Sequence, residues 1–171
     1  MPTPAKTSIS LDLGCGLIPN NVFRANAVHG VDMRPDHDDS IRHANLAIEP
    51  IPFPDGMFDY CTAIDFVEHI PRILYVNGHT RYCFIELMNE IHRVLKPKGY
   101  FLHLTPAYPA KQSFQDTTHV NIITEDTFGV YFCGKSDAGA SKHGYGFNGR
   151  FELIAQGWLD NCKLASLLQA L

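Results

Sequence analysis

Two groups of residues in this 171-residue chain have the types and spacing that chemistry needs. The first is Gly14-Cys15-Gly16, entered from the alternating Ile9, Leu11 and Leu13 and followed, 18 residues after Gly14, by Asp32. A glycine turn at the end of a strand lets a ligand approach the backbone closely. A strand-end carboxylate there accepts two hydrogen bonds from ribose hydroxyls. Asn45 lies further along, and its side-chain oxygen can meet an adenine amine. Together these residues describe a site for a nucleoside-containing ligand. A dinucleotide fits poorly, because the third glycine of G-x-G-x-x-G falls on Pro19 and there is little room for a helix to hold a pyrophosphate.

The second group is the polar run Gln115-Asp116-Thr117-Thr118-His119-Val120-Asn121. A histidine titrating near neutrality suits removal of a hydroxyl proton, and a carboxylate three residues away can orient its ring. His119 is therefore the expected base, with Asp116 as its orienting partner. His69, which follows another strand, competes for the role. Glu68 is expected to cap or orient a loop, His103 to be a satisfied core histidine, and His92 to lie solvated on a polar helix face. Cys133 and His143 are too few to hold a metal, and none is expected.

These residues need strands to carry them. Strands are expected at Ser8 to Leu13, Ala27 to Met33, Ile41 to Ile48, Phe58 to Ile64, Tyr100 to Thr105 and Phe151 to Trp158. A last strand, with a helix as the alternative, is expected at Lys163 to Leu171. Only a short helical turn, near Val22 to Asn26, fits between the first two. Phe84, Leu87, Met88, Ile91, Val94 and Leu95 form one apolar stripe, so Arg81 to Leu95 is the best helix, with Thr80 as its N-cap. A shorter helix is expected at Glu125 to Phe132, capped by Thr124. Asp36 to Ser40 reads as a solvated loop. Residues 106–149, rich in glycine towards their end, read as a lid or substrate segment of a single domain, 1–171. Strands alternating with crossovers imply an α/β domain with a parallel sheet, closed at one edge by an antiparallel hairpin around Asp160-Asn161.

Composition narrows the partners. Charged residues make up 19% and the formal net charge is -4, so nothing basic invites nucleic acid or an anionic membrane. The apolar runs are strand-length, which excludes insertion of a helix into a bilayer. Five dispersed cysteines without a CxxC pair, and a start without an apolar core after Lys6, lead to the expectation of a cytoplasmic protein with reduced thiols.

Five segments in order then resemble one family. Leu11-Asp12-Leu13-Gly14-Cys15-Gly16 is similar to motif I of the class I S-adenosylmethionine-dependent methyltransferases, and Gly30-Val31-Asp32 to the acid that follows it. Residues 51–59, IPFPDGMFD, resemble the signature before the fourth strand, and residues 64–71, IDFVEHIP, the signature after it. Residues 88–99, MNEIHRVLKPKG, resemble the helix and turn before the fifth strand, with Lys98 in place of a glycine.

The resemblance implies a Rossmann-like three-layer α/β sandwich. Its seven-stranded, mostly parallel sheet would have order 3-2-1-4-5-7-6, the last strand antiparallel, with reduced helices on one side. It implies S-adenosyl-L-methionine as cofactor. Asp12 and the backbone of Gly14, Cys15 and Gly16 would hold its methionine end, and Asp32 the ribose. Met33 and Leu46 would flank adenine, Asn45 would accept its amine, and Ile64 and Asp65 would border the methionine amino group. The expected acceptor is a small molecule, with a sugar or glycolipid hydroxyl first. The alternative is a non-catalytic protein that binds S-adenosylmethionine or S-adenosylhomocysteine. No N-terminal helices precede the first strand, so residues 106–149 or the second subunit of a homodimer would close the site.

Overall fold

The structure is a computed structural model that describes residues 7–34, 40–134 and 144–171. The Asp36 to Ser40 loop, except Ser40, lies outside the described residues. So do His143 and part of the expected lid.

Among the described residues, nine strands and three α-helices form in the order β1 (Ile9–Leu13), β2 (Ala27–Asp32), β3 (Ile41–His43), β4 (Phe58–Ile64), β5 (Leu74–Val76), β6 (His79–Arg81), α1 (Cys83–Val94), β7 (Leu95–Pro106), α2 (Gln112–Gln115), α3 (Glu125–Phe132), β8 (Phe151–Leu159) and β9 (Lys163–Ala170), with a 3-10 turn at Val67–His69 after β4. Seven of the strands make one sheet in the order β3-β2-β1-β4-β7-β9-β8, while β5 and β6 pair as a separate hairpin. Without that hairpin the order is the expected 3-2-1-4-5-7-6. Strands β1, β2, β3, β4 and β7 run parallel, and β9 is antiparallel to both β7 and β8. Asp160 and Asn161 both take positive φ in the turn before β9, as a tight hairpin requires.

α1 buries the expected stripe of Phe84, Leu87, Met88, Ile91 and Val94. Phe84 meets Phe128 and Phe132 of α3 edge-on, so both helices share one face of the sheet. Phe101 and His103 of β7 lie under Phe128. The loop before β4 is tied to α1 by Arg93 and by Glu90, whose carboxylate accepts the Ile51 N–H at 2.9 Å. The Arg93 guanidinium donates to the carbonyls of Ile51 and Phe53 and pairs with Asp55 and Glu90. Two of the resembling segments are thus one hydrogen-bonded unit. On the opposite face of the sheet Phe23 stacks on Tyr60 at 4.4 Å, and neither α1 nor α3 covers it.

Several expectations are corrected. No helical turn forms at Val22 to Asn26. Asn21 instead bridges to Ala25 through both its amide oxygen and its amide nitrogen, and these side-chain bonds compete with helix. The third strand ends at His43 because Asn45 and Glu49 hold residues 45–49 in a turn. α1 starts two residues late and Thr80 does not cap it, since Thr80 and Arg81 pair with Tyr75 and Leu74 in the β5–β6 hairpin. Thr124 does cap α3, in a box closed by Thr127. His92 is not solvated, for its ring packs on Phe151 and against Gly149. His103 is a core histidine, but neither ring nitrogen finds a partner.

Candidate active site

Parallel strands place their carboxyl ends on one edge, where open α/β sheets bind ligands. Both groups of candidate residues gather there. On the β1–β2 side, Gly14 and Gly16 take φ of 65° and 67°. Gly14 has no alternative, because a Cβ there would sit 2.3 Å from the Phe66 ring. The N–H groups of the turn point inward, those of Gly14 and Cys15 to the Val31 carbonyl and that of Gly16 to Asp32 Oδ2 at 2.8 Å. What the turn's backbone still offers a ligand is its carbonyl oxygens.

Asp12 is buried and fully engaged. It accepts from the Thr62 hydroxyl at 2.5 Å and from the backbone and side-chain amides of Asn20. Burial pushes its carboxyl above the ordinary range, and these bonds oppose the shift. Its evident work is to hold the 14–20 loop to β1. Burial, with Asp12 and Asp32 nearby, raises the Cys15 thiol to about 11, so it is not a nucleophile.

Asp32 ends β2. Its Oδ1 accepts the Arg34 N–H at 3.0 Å and pairs with Arg34 Nε at 3.3 Å. A carboxylate has about four lone-pair sites, so acceptor capacity remains for ribose hydroxyls. Around it Leu17, Ile18 and Met33 stay uncovered, Ile18 at 81% and Met33 at 66% exposure. A carboxylate with uncovered apolar side chains on the segments that flank it is a suitable combination for an adenosyl group. Asn45 uses its Oδ1 on the Ala47 N–H, and Leu46 is buried. Ile64 is half-buried, while Asp65 is exposed, has φ of 49° and pairs with Lys163.

On the β4–β7 side, His69 and His119 meet. Their rings cross at 74° with centroids 5.0 Å apart, although 50 residues separate them in sequence. His69 Nδ1 faces the Thr118 carbonyl at 3.3 Å and its hydroxyl at 3.0 Å. Asp116 caps its own turn by accepting the N–H and hydroxyl of Thr118, which holds its carboxyl below the ordinary range. Its other oxygen lies 4.0 Å from His119 Nε2, beyond hydrogen-bond length.

Glu68, expected to cap or orient a loop, does hold the segment after β7. It is buried beside both histidines and accepts from the Thr105 hydroxyl at 2.5 Å. Burial pushes its carboxyl up. The Glu68 carbonyl accepts from Val120 and Asn121, the Asn121 amide donates to the Val67 carbonyl, and Arg72 grips Asn121 and Ile122. This lattice sets the loop after β4 against the segment after β7. The only local signal was the Glu68-His69 pair itself.

A cavity of about 810 Å³ opens beside this lattice, between α1, α3 and the segment after β7. Arg72, Tyr82, Phe84, Tyr108, Tyr131 and Tyr145 stand in its wall.

Comparison with known proteins agrees with this fold. The methyltransferase domain family matches residues 11–103, more than half of the chain, and the chain belongs to that family. Its cofactor is S-adenosyl-L-methionine. Among solved structures, the complex between the Haloferax volcanii Trm112 methyltransferase activator and the putative methyltransferase is similar at TM-score 0.62 and 14% identity, covering 96% of this chain and 83% of that one. An S-adenosylmethionine-dependent methyltransferase from Aquifex aeolicus is similar at TM-score 0.57 and 12% identity, with coverage of 96% and 83%. One from Mesorhizobium loti is similar at TM-score 0.58 and 16% identity, with coverage of 96% and 93%. At these identities the likeness is one of fold. No curated protein matches the sequence. Among the described residues no helix is long and apolar enough to cross a membrane.

Proposed function

We propose that the chain transfers the methyl group of S-adenosyl-L-methionine to a hydroxyl of a small molecule, a sugar or glycolipid precursor. The observation that carries this reading is the aromatic cavity whose wall includes Arg72, the side chain that holds Asn121 in the histidine-bearing lattice. Four tyrosines and Phe84 offer flat apolar faces for a sugar ring, and the phenolic hydroxyls offer polar contacts at its rim.

Bound S-adenosyl-L-methionine supplies a methyl group on a sulfonium that needs no further activation. The chain's own residues bind, align and exclude water. Asp32 takes the ribose hydroxyls once the exposed Arg34 guanidinium swings aside. Met33, with Asn45 and Leu46 behind it, receives the adenine. Asp12, Gly14, Cys15 and Gly16 shape the floor under the methionine end, and turn carbonyls with Ile64 and Asp65 receive its ammonium. The acceptor hydroxyl loses its proton at the cluster of His69 and His119, with Asp116 behind His119. Residues 106–134, which frame this cluster and the cavity, close over the bound pair.

A screen with methyl-labelled S-adenosyl-L-methionine tests the reading. Glycosides, phenols, amines and oligonucleotides are offered in parallel. A labelled methyl ether of a glycoside, formed with a KM raised by Tyr108→Ala or Tyr131→Ala, is the expected product. Labelling confined to amines or oligonucleotides would overturn the acceptor class, and binding without labelling of any acceptor would favour a non-catalytic protein.

A further inference from the structure

We propose that Glu68, His69 and His119 form a binding site for a divalent transition-metal cation. The proposal rests on the reading of this cluster as the place where the acceptor loses its proton, and it says how that proton is made labile.

One ligand atom from each of the three residues lies within 4.8 Å of the other two. Around a tetrahedral first-row ion with bonds of about 2.0–2.2 Å, ligand atoms lie about 3.3–3.6 Å apart, so closure needs a contraction of at most about 1.5 Å. Two imidazoles and one carboxylate are a donor set that suits such ions and leaves positions open for a substrate oxygen.

Two further observations point to a ligand at this place. Glu68 is 2% exposed and its Oε1 has no hydrogen-bond partner, while Thr105 occupies Oε2. The side chain of His119 is 8% exposed and its Nδ1 is likewise unpartnered. A buried carboxylate oxygen and a buried imidazole nitrogen left without partners in one cluster are costly unless something binds them. The surroundings already serve the metal-bound arrangement. Histidine ligands are usually oriented by a carbonyl or carboxylate on the other ring nitrogen. His69 has the Thr118 carbonyl on Nδ1, which leaves Nε2 for the metal. His119 has Asp116 beyond Nε2 at 4.0 Å, which leaves Nδ1.

A cation here would take the acceptor oxygen in an open position and lower the pKa of its hydroxyl. The O–H proton leaves to solvent past the exposed Asp116. The new O–CH3 bond forms as the S–CH3 bond breaks, and the electron pair of that bond stays on sulfur in neutral S-adenosylhomocysteine.

Cobalt(II) is the probe, titrated into chelator-treated full-length protein and followed by visible absorption and equilibrium dialysis. One ion per chain is expected, with a ligand-field spectrum of nitrogen and oxygen donors. Glu68→Gln, His69→Ala and His119→Ala should each weaken binding at least about tenfold. His79→Ala, exposed in β6, should leave it unchanged. Circular dichroism identifies a variant that fails to fold, and Glu68→Gln, which keeps side-chain shape, decides if the alanine variants do fail. A thiolate-to-cobalt charge-transfer band, or affinity unchanged in Glu68→Gln and His119→Ala, overturns the site. Once an acceptor is known, methyl transfer that persists in chelator yet is lost in His119→Ala refutes the metal and leaves the histidine reading standing. Transfer indifferent to both chelator and His119 refutes both.

Discussion

His103 sits in β7 with its ring stacked on Phe128 at 3.9 Å, fully buried and with both nitrogens unpartnered. Burial lowers its pKa from the ordinary 6.5 to about 3. The sign of the consequence is fixed by linkage. The unfolded chain takes up a proton below about pH 6.5 and the folded chain does not, so stability falls as pH drops from 6.5 towards 3. The loss is about 1.4 kcal/mol per pH unit in that window, which makes about 2 kcal/mol at pH 5. His103→Leu removes this loss along with an unsatisfied buried donor, at the expense of the aromatic stack. His103→Phe keeps the stack. Urea unfolding of the three proteins at pH 8, 6, 5 and 4.5, followed by circular dichroism, measures the difference. Asp12 and Glu68, whose buried carboxyls are shifted in the opposite sense, remain in all three and cancel. Both variants should gain on the wild type as the solution is acidified, by about 2 kcal/mol between pH 8 and pH 5. A difference that stays flat within about 0.5 kcal/mol over that range would refute the claim that the ring is held neutral in the core.

Asp32→Ala should weaken S-adenosylhomocysteine binding at least about tenfold by calorimetry, because each lost charge-assisted hydrogen bond is worth about 1.5–3 kcal/mol. The folded state should survive. Gly14→Ala forces a Cβ into the Phe66 ring at a positive φ, and should lower stability by about 1–3 kcal/mol in urea unfolding while also disturbing cofactor binding. Thr124→Ala opens the capping box of α3 and should cost about 1 kcal/mol by the same measure. Hydrogen exchange in residues 107–124 should slow when cofactor and acceptor are both bound, and equal exchange in all states would remove this segment from the closure.

Legibility followed the range of the forces. β4 and α3 were placed to the residue, because an apolar run between turns and a Thr124 cap are local signals. The sheet order came from the family resemblance that five segments carry, two of which Arg93 ties together. The β5–β6 hairpin went unread although Asn77-Gly78 announced it, both with positive φ. β3 was drawn too long, since the turn at residues 45–49 is made by the side chains of Asn45 and Glu49 against a chain whose apolar content suggested strand. His103 was expected to find a partner, and only its stacking on Phe128 and position between β4 and β9 explain why it does not.

The two halves of the edge are built by different means, and this decides what sequence can say about each. The β1–β2 half is made of backbone: a glycine turn, a strand end, and one carboxylate whose place is fixed by the strand it terminates. Such a half leaves a local imprint, and Gly14, Gly16 and Asp32 stood out for that reason. The β4–β7 half is made of side chains from segments some 50 residues apart. His69 meets His119 only because the Glu68 carbonyl takes the N–H groups of Val120 and Asn121 and because Arg72 holds Asn121. No spacing records that. It follows that the tolerance to change differs too. Replacing Asp32 removes a single carboxylate from the first half, whereas loosening Arg72 or Asn121 frees the segments that carry Glu68, His69 and His119 from one another. The geometry of that cluster therefore depends on Arg72 and Asn121 as much as on its own three side chains.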